Sequence, residues 1–179
     1  MVPEARGADG PVSICHLRNH SNRRAFTMTT TPQIPDGFRA TAVHGDFISF
    51  NGPLYGKWTG TKVLMGFRVE QRHTNPLGIC HGGMLATFVD MLIPCTTMYM
   101  TNRERRFLPT ISLQIDYLGS AKLGAWVQGE AQVLRTTRNL LFGQGLVSAD
   151  GEPALRFSGI FKLGPLYGDP ADRDPLGLK

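Results

Sequence analysis

The sequence contains no uninterrupted apolar run near the roughly 20 residues that a membrane-spanning helix needs, so no membrane-embedded segment is expected. Nor is there an apolar stretch followed by a small-residue cleavage site of the kind a secretory signal carries. Cysteine is scarce: Cys15, Cys80 and Cys95 make an odd set without a close CxxC pair, which excludes a disulfide framework and a cysteine zinc site. A reducing, cytoplasmic location follows as the expectation. Basic runs with interleaved aromatics are absent too, which argues against a nucleic-acid partner. The net charge is +5; Arg6, Arg18, Arg23 and Arg24 against Glu4 and Asp9 leave +2 in the first 27 residues and +3 in the remainder, dispersed. That balance suits a small anionic ligand.

What is present fits one domain with a sizeable core: 179 residues, 41% of them hydrophobic and 18% charged. Residues 1–33 lack periodicity and read as a disordered or loosely attached N-terminal extension. The domain proper is expected over 34–164. Its first part is broken by IPDGF, HGD and NGP, which suggests a short helix or turn and then a short strand near Phe47–Phe50. Residues 62–71 read as a strand. Four further strand-like segments, 110–118, 125–136, 140–149 and 154–163, follow with turn signals between them, and short connections predict an antiparallel meander. Residues 165–179 are too rich in Pro and Gly to extend the sheet and read as a C-terminal tail that drapes over the domain or moves freely.

Between the first strand and the meander lies the one long helical pattern. Met84, Leu85, Phe88, Leu92, Cys95 and Tyr99 form an apolar stripe, and a sheet wrapped around the helix would bury it. The opposite face, Gly83, Ala86, Thr87, Asp90, Pro94, Thr97 and Thr101, is small or weakly polar with a single carboxylate in its middle. A solvated face is ordinarily built from many charges, so the isolation of Asp90 marks it as a candidate for chemistry. The preceding His81-Gly82-Gly83 supplies flexible backbone at a helix start, where unpaired N–H groups and the helix dipole favour negative charge. Such an end can hold an oxyanion. Cys80 beside His81 invites a Cys/His nucleophile, set against the ordinary role of a free cysteine as a small buried hydrophobe.

Asn75, Gly78, His81-Gly82-Gly83 and Asp90, followed by Thr110, Tyr117 and GSAKLG at 119–124, resemble the hotdog-fold acyl-CoA thioesterases of the phenylacetyl-CoA and 4-hydroxybenzoyl-CoA type. The resemblance implies an α+β hotdog fold, an antiparallel sheet around one long central helix, and a homo-oligomer: a dimer with side-by-side sheets or a dimer of dimers, hence a homotetramer. The active site would lie between protomers, the helix start of one near the carboxylate of the other. By position, Gly82 would offer its N–H to the thioester carbonyl and Asn75 would bind the attacking water or the carbonyl. Asp90 would be nucleophile or general base, with Thr110 orienting the water. His81 and Gly83 would shape the turn against the substrate, Met84 and Phe88 would line the acyl pocket, and Arg135 and Arg138 would meet the CoA phosphates. Neither metal nor cofactor is implied. The activity implied is hydrolysis of a small aryl or medium-chain acyl-CoA to the free acid and CoA. The alternatives are a hotdog dehydratase or hydratase using His81, and a non-catalytic acyl-CoA-binding module.

Overall fold

The computed structural model describes residues 33–43, 45–100, 105–169, 172 and 174–179. The extension expected over 1–33 therefore lies, except for Gln33, outside the described residues. Seven strands form one antiparallel sheet: β1 Arg39–Ala40, β2 Tyr55–Trp58, β3 Val63–Arg68, β4 Thr110–Tyr117, β5 Trp126–Thr136, β6 Leu140–Ala149 and β7 Glu152–Lys162. Their order across the sheet is β1-β2-β3-β5-β6-β7-β4. A short helix, α1 (Asp46–Asn51), precedes β2, and the long helix, α2 (Gly82–Met100), joins β3 to β4. This is the expected hotdog arrangement, with the sheet packed on one face of α2. Among the described residues no helix is long and apolar enough to cross a membrane.

The apolar stripe of α2 meets the sheet as its spacing requires. Leu85, Phe88, Val89, Leu92, Ile93 and Cys95 are buried against Val63, Met65 and Phe67 of β3 and Val127, Leu141, Val147, Leu155 and Phe161 of β5–β7. Two strand glycines bring the helix close. A Cβ on Gly129 would lie 2.8 Å from Leu92 Cδ1, and one on Gly143 would lie 2.7 Å from Ile93 Cδ1. The helix continues through Pro94, which tolerates the ring at the cost of one backbone hydrogen bond from position 94.

Three expectations are corrected. Residues 47–50 lie in α1, not a strand; Ile48 packs on the core while Phe47 and Phe50 point outward, a division that one helical turn makes and strand alternation does not. The meander comprises β5, β6 and β7 only. β4 leaves α2 for the far edge, pairing with β7, and β5 returns to pair with β3. The 119–124 connection is thus no hairpin turn: Cys80 N–H donates to Ala121 C=O at 2.7 Å, Leu123 N–H to Gly78 C=O at 3.2 Å, and Ile79 bridges Lys122. It docks against the loop that feeds α2. The domain core also extends past residue 164, because Leu176 and Leu178 of the tail are buried in it. Asp174 holds them in place, accepting Tyr99 O–H at 2.5 Å, Leu178 N–H at 2.7 Å and Lys179 N–H at 2.9 Å.

Candidate active site

The loop entering α2 is fixed from several sides before any chemistry is considered. His73, buried beside Phe67, bonds Asn51 C=O through Nε2 at 2.9 Å and accepts Glu70 N–H at Nδ1 at 3.0 Å, and burial lowers its pKa. Its carbonyl accepts His81 N–H at 2.7 Å. Asn75 closes an Asx turn: its Oδ1 accepts Leu77 N–H at 2.9 Å and Ile79 N–H at 3.4 Å. The Oδ1 is therefore committed, leaving the side-chain NH2 as the group that can reach a water or a carbonyl.

At the helix start, His81 Nδ1 accepts Gly83 N–H at 2.8 Å, and His81 C=O accepts Met84 and Leu85 N–H at 2.9 and 3.2 Å. His81 thus caps the helix. With Nδ1 accepting, the neutral ring carries its proton on Nε2 and offers no free lone pair, so His81 is not placed as a general base. Gly83 N–H is used within this turn, and Gly83 C=O accepts the Thr87 hydroxyl at 3.0 Å. Gly82 N–H has no acceptor among the described residues and is the donor the helix start leaves open.

Two turns further along the same face, Asp90 Oδ1 accepts the Thr110 hydroxyl at 2.6 Å. Thr110 opens β4, so the helix and the edge strand meet at the carboxylate. This short O–H···O⁻ contact orients one carboxylate oxygen and leaves the other for a water. Eight residues separate Gly82 from Asp90, which at 1.5 Å rise per residue is about 12 Å. One small thioester group cannot touch both within a single chain.

The remaining candidates fall elsewhere. Phe88 is 0% exposed and stacks edge-on against Phe67 at 5.1 Å, and Met84 is buried in the same cluster. Both belong to the stripe that faces the sheet, so they are core and not the expected acyl-pocket wall. Arg135 and Arg138 are exposed at the end of β5 and in the turn after it. The register Thr110–Phe161–Leu141–Thr136 places that end three strands from Thr110, about 14 Å across the sheet. Cys80 is 5% exposed and its thiol is pushed up to about 12 by burial, which removes the Cys/His nucleophile. A groove of about 680 Å³ lies over Gln114, Glu130, Gln144 and Arg156, and no candidate site residue lines it.

A family model described as the thioesterase superfamily matches residues 77–154, from the Asx turn to the start of β7. The crystal structure of zebrafish thioesterase superfamily member 2 is 30% identical, with a TM-score of 0.55 over 62% of this chain and 81% of that one. The chain belongs to the thioesterase superfamily. Human acyl-coenzyme A thioesterase 13 is 39% identical over 83 residues, which are 45% of this chain and 56% of that protein. The match thus spans about half of that relative. A hypothetical thioesterase of Streptococcus pneumoniae, solved with coenzyme A, shares the fold at 16% identity and a TM-score of 0.57, over 68% of this chain and 98% of that one.

One contact in this thioesterase-superfamily chain joins residues that no local sequence pattern links. Tyr117 O–H, at the last position of β4, donates to Gly82 C=O at 2.9 Å. Tyr117 carries part of the family resemblance, but the contact spans 35 positions and leaves no local pattern.

Proposed function

We propose that the chain is an acyl-CoA thioesterase whose active site is completed by a second copy, and that it hydrolyses a small aryl or medium-chain acyl-CoA to the acid and CoA in the cytoplasm. The observation that carries this reading is the Thr110–Asp90 hydrogen bond at 2.6 Å on the helix face turned away from the core. In the reaction, Gly82 N–H stabilises the oxyanion that develops on the thioester carbonyl, and the Asn75 amide assists there. Asp90 either takes a proton from water or attacks the carbonyl itself, with Thr110 holding its carboxylate in register. The hydratase alternative needs His81 as a base, and its engagement with Gly83 N–H speaks against that role. Similarity to acyl-coenzyme A thioesterase 13 supports the substrate class.

Two features support the shared site. The 12 Å between Gly82 and Asp90 is too long for one reacting group, and β4, which carries Thr110, is an edge strand open to pairing with its copy. Complementation tests the idea directly. Gly82→Pro removes the oxyanion N–H at the first helical position, where its ring also meets the Tyr117 side chain, and is expected to cost at least about 100- to 1000-fold in kcat. Asp90→Asn removes the carboxylate. If one copy supplies Gly82 and the other Asp90, co-expressing the two inactive variants rebuilds one intact site in each mixed pair and restores a sizeable share of thiol release. No recovery in purified mixed pairs would show that each chain works alone. A wild-type protein that releases no thiol from any of a panel of acyl-CoAs would leave the binding-module reading in its place.

The nucleotide end is assigned to Arg138, with Arg135 beside it. An exposed guanidinium gains from multi-donor contact with phosphate, and salt screens the gain. Arg138→Ala is therefore expected to raise KM for acyl-CoA more than it lowers kcat, by an amount that shrinks with added salt. Kinetics with an acyl-pantetheine lacking the nucleotide should be nearly unaffected. Equal damage with both substrates would move the phosphate site elsewhere.

A further inference from the structure

The Gly82–Gly83 peptide is held at both ends by side chains. Its carbonyl oxygen accepts the Tyr117 hydroxyl at 2.9 Å, and its N–H donates to His81 Nδ1 at 2.8 Å. The preceding peptide, which carries the open Gly82 N–H, has its own carbonyl fixed by the Met84 and Leu85 amides. Two consecutive glycines otherwise have the widest choice of backbone conformations in the chain, and a rotation of the Gly82–Gly83 plane would swing the neighbouring N–H with it. Within α2 that carbonyl is also the i→i+4 acceptor for Ala86 N–H, so the Tyr117 hydroxyl adds a second bond to it in the first helical turn, where the ladder is weakest.

We infer that Tyr117 is a positioning residue for the oxyanion donor: its hydroxyl locks the Gly82–Gly83 peptide so that Gly82 N–H keeps one direction. The inference rests on the reading of Gly82 N–H as that donor. Tyr117 is 53% exposed, so its hydroxyl could be satisfied by water, and the bond to Gly82 is not needed to pay for burial. The ring also stands over the glycine: a Cβ at Gly82 would lie 3.3 Å from the Tyr117 hydroxyl oxygen and 3.4 Å from Cζ. Residue 82 is thereby kept small where a thioester must approach. β4 thus ends in two hydroxyls that reach α2: Thr110 at its first residue holds Asp90, and Tyr117 at its last holds Gly82. The same strand sets the direction of both reacting groups.

Tyr117→Phe removes the hydroxyl and keeps the ring. On full-length protein, kcat for thiol release is expected to fall about tenfold with KM for acyl-CoA unchanged, since only stabilisation of the developing oxyanion is weakened. Affinity for a trifluoromethyl-ketone analogue of the acyl-CoA should fall by a similar factor, while affinity for CoA itself and the melting temperature stay as in wild type. Amide hydrogen exchange, read by mass spectrometry on peptides covering residues 80–86, should quicken in the variant whether or not catalysis is measured. Unchanged exchange, or unchanged kcat, overturns the inference, as does a fall in the melting temperature that accounts for the lost activity. A wild type without thioesterase activity whose helix start nonetheless loosens in Tyr117→Phe would overturn the catalytic role and the thioesterase reading together, and leave a clamp that orders the turn.

Discussion

Asp90→Asn is expected to lower thiol release from acyl-CoA by about 100- to 10,000-fold, the span a positioned acid or base typically contributes. The substitution is close to isosteric, and the Asn carbonyl oxygen can still accept the Thr110 hydroxyl that now bonds Asp90 Oδ1 at 2.6 Å. What is lost is the negative charge and with it both the ability to take a proton from water and the ability to attack a thioester carbon. Asp90 lies on the helix face turned from the core, so the melting temperature should hold and KM should change little. Steady-state kinetics with a thiol reagent, alongside a thermal melt, make the measurement. Turnover within a few-fold of wild type, in a folded protein, would remove Asp90 from the mechanism.

Leu176→Ala should produce the largest loss of stability while sparing the chemistry. Leu176 is 2% exposed and belongs to the main core cluster together with Leu178, whose methyl groups fill the space over Gly56. Emptying such a position typically costs about 2–5 kcal/mol, and in a domain of this size each kcal/mol lowers the melting temperature by about 2–4 °C. Activity per folded molecule at low temperature should be retained, because the tail is tied to Tyr99, nine residues or about 14 Å along α2 from Asp90. A melt displaced by less than about one degree would mean that the tail rests on the domain without being part of its core.

The course of α2 was legible because its stripe repeats at the helical period over more than four turns and its opposite face carries one isolated charge. Strand positions in the meander were legible from turn residues such as Asp150-Gly151. The place of β4 was not, since six residues between Leu118 and Ala125 look like a hairpin loop, and only the bonds to the Ala121 and Gly78 carbonyls turn them into a strut beneath the helix start. The tail misled for a related reason: Pro and Gly dominate its composition, while two leucines on either side of Gly177 decide where it goes. In the site, Asp90 stood out by isolation, whereas Phe88 and Met84 were assigned to a substrate wall although their place on the stripe already committed them to the sheet. The role of Thr110 came from family resemblance, and the Tyr117–Gly82 bond joins residues too far apart for any spacing rule.

The position of β4 has a consequence for handling the protein. It is an eight-residue strand at the rim of the sheet, its outer backbone groups free of partners among the described residues, and Asp116 is its single charged residue. The segment TISLQI, residues 110–115, has no charge, no proline and no glycine, the composition that adds readily to other strands. Ile111 stands exposed within it. Under the proposed pairing of β4 with its copy, a variant or a dilution that uncovers this rim does not release a well-behaved monomer but a chain prone to stack edge on edge. Turbidity and loss of soluble yield, more than a smaller particle in solution, are the signature by which impaired pairing at β4 should be recognised.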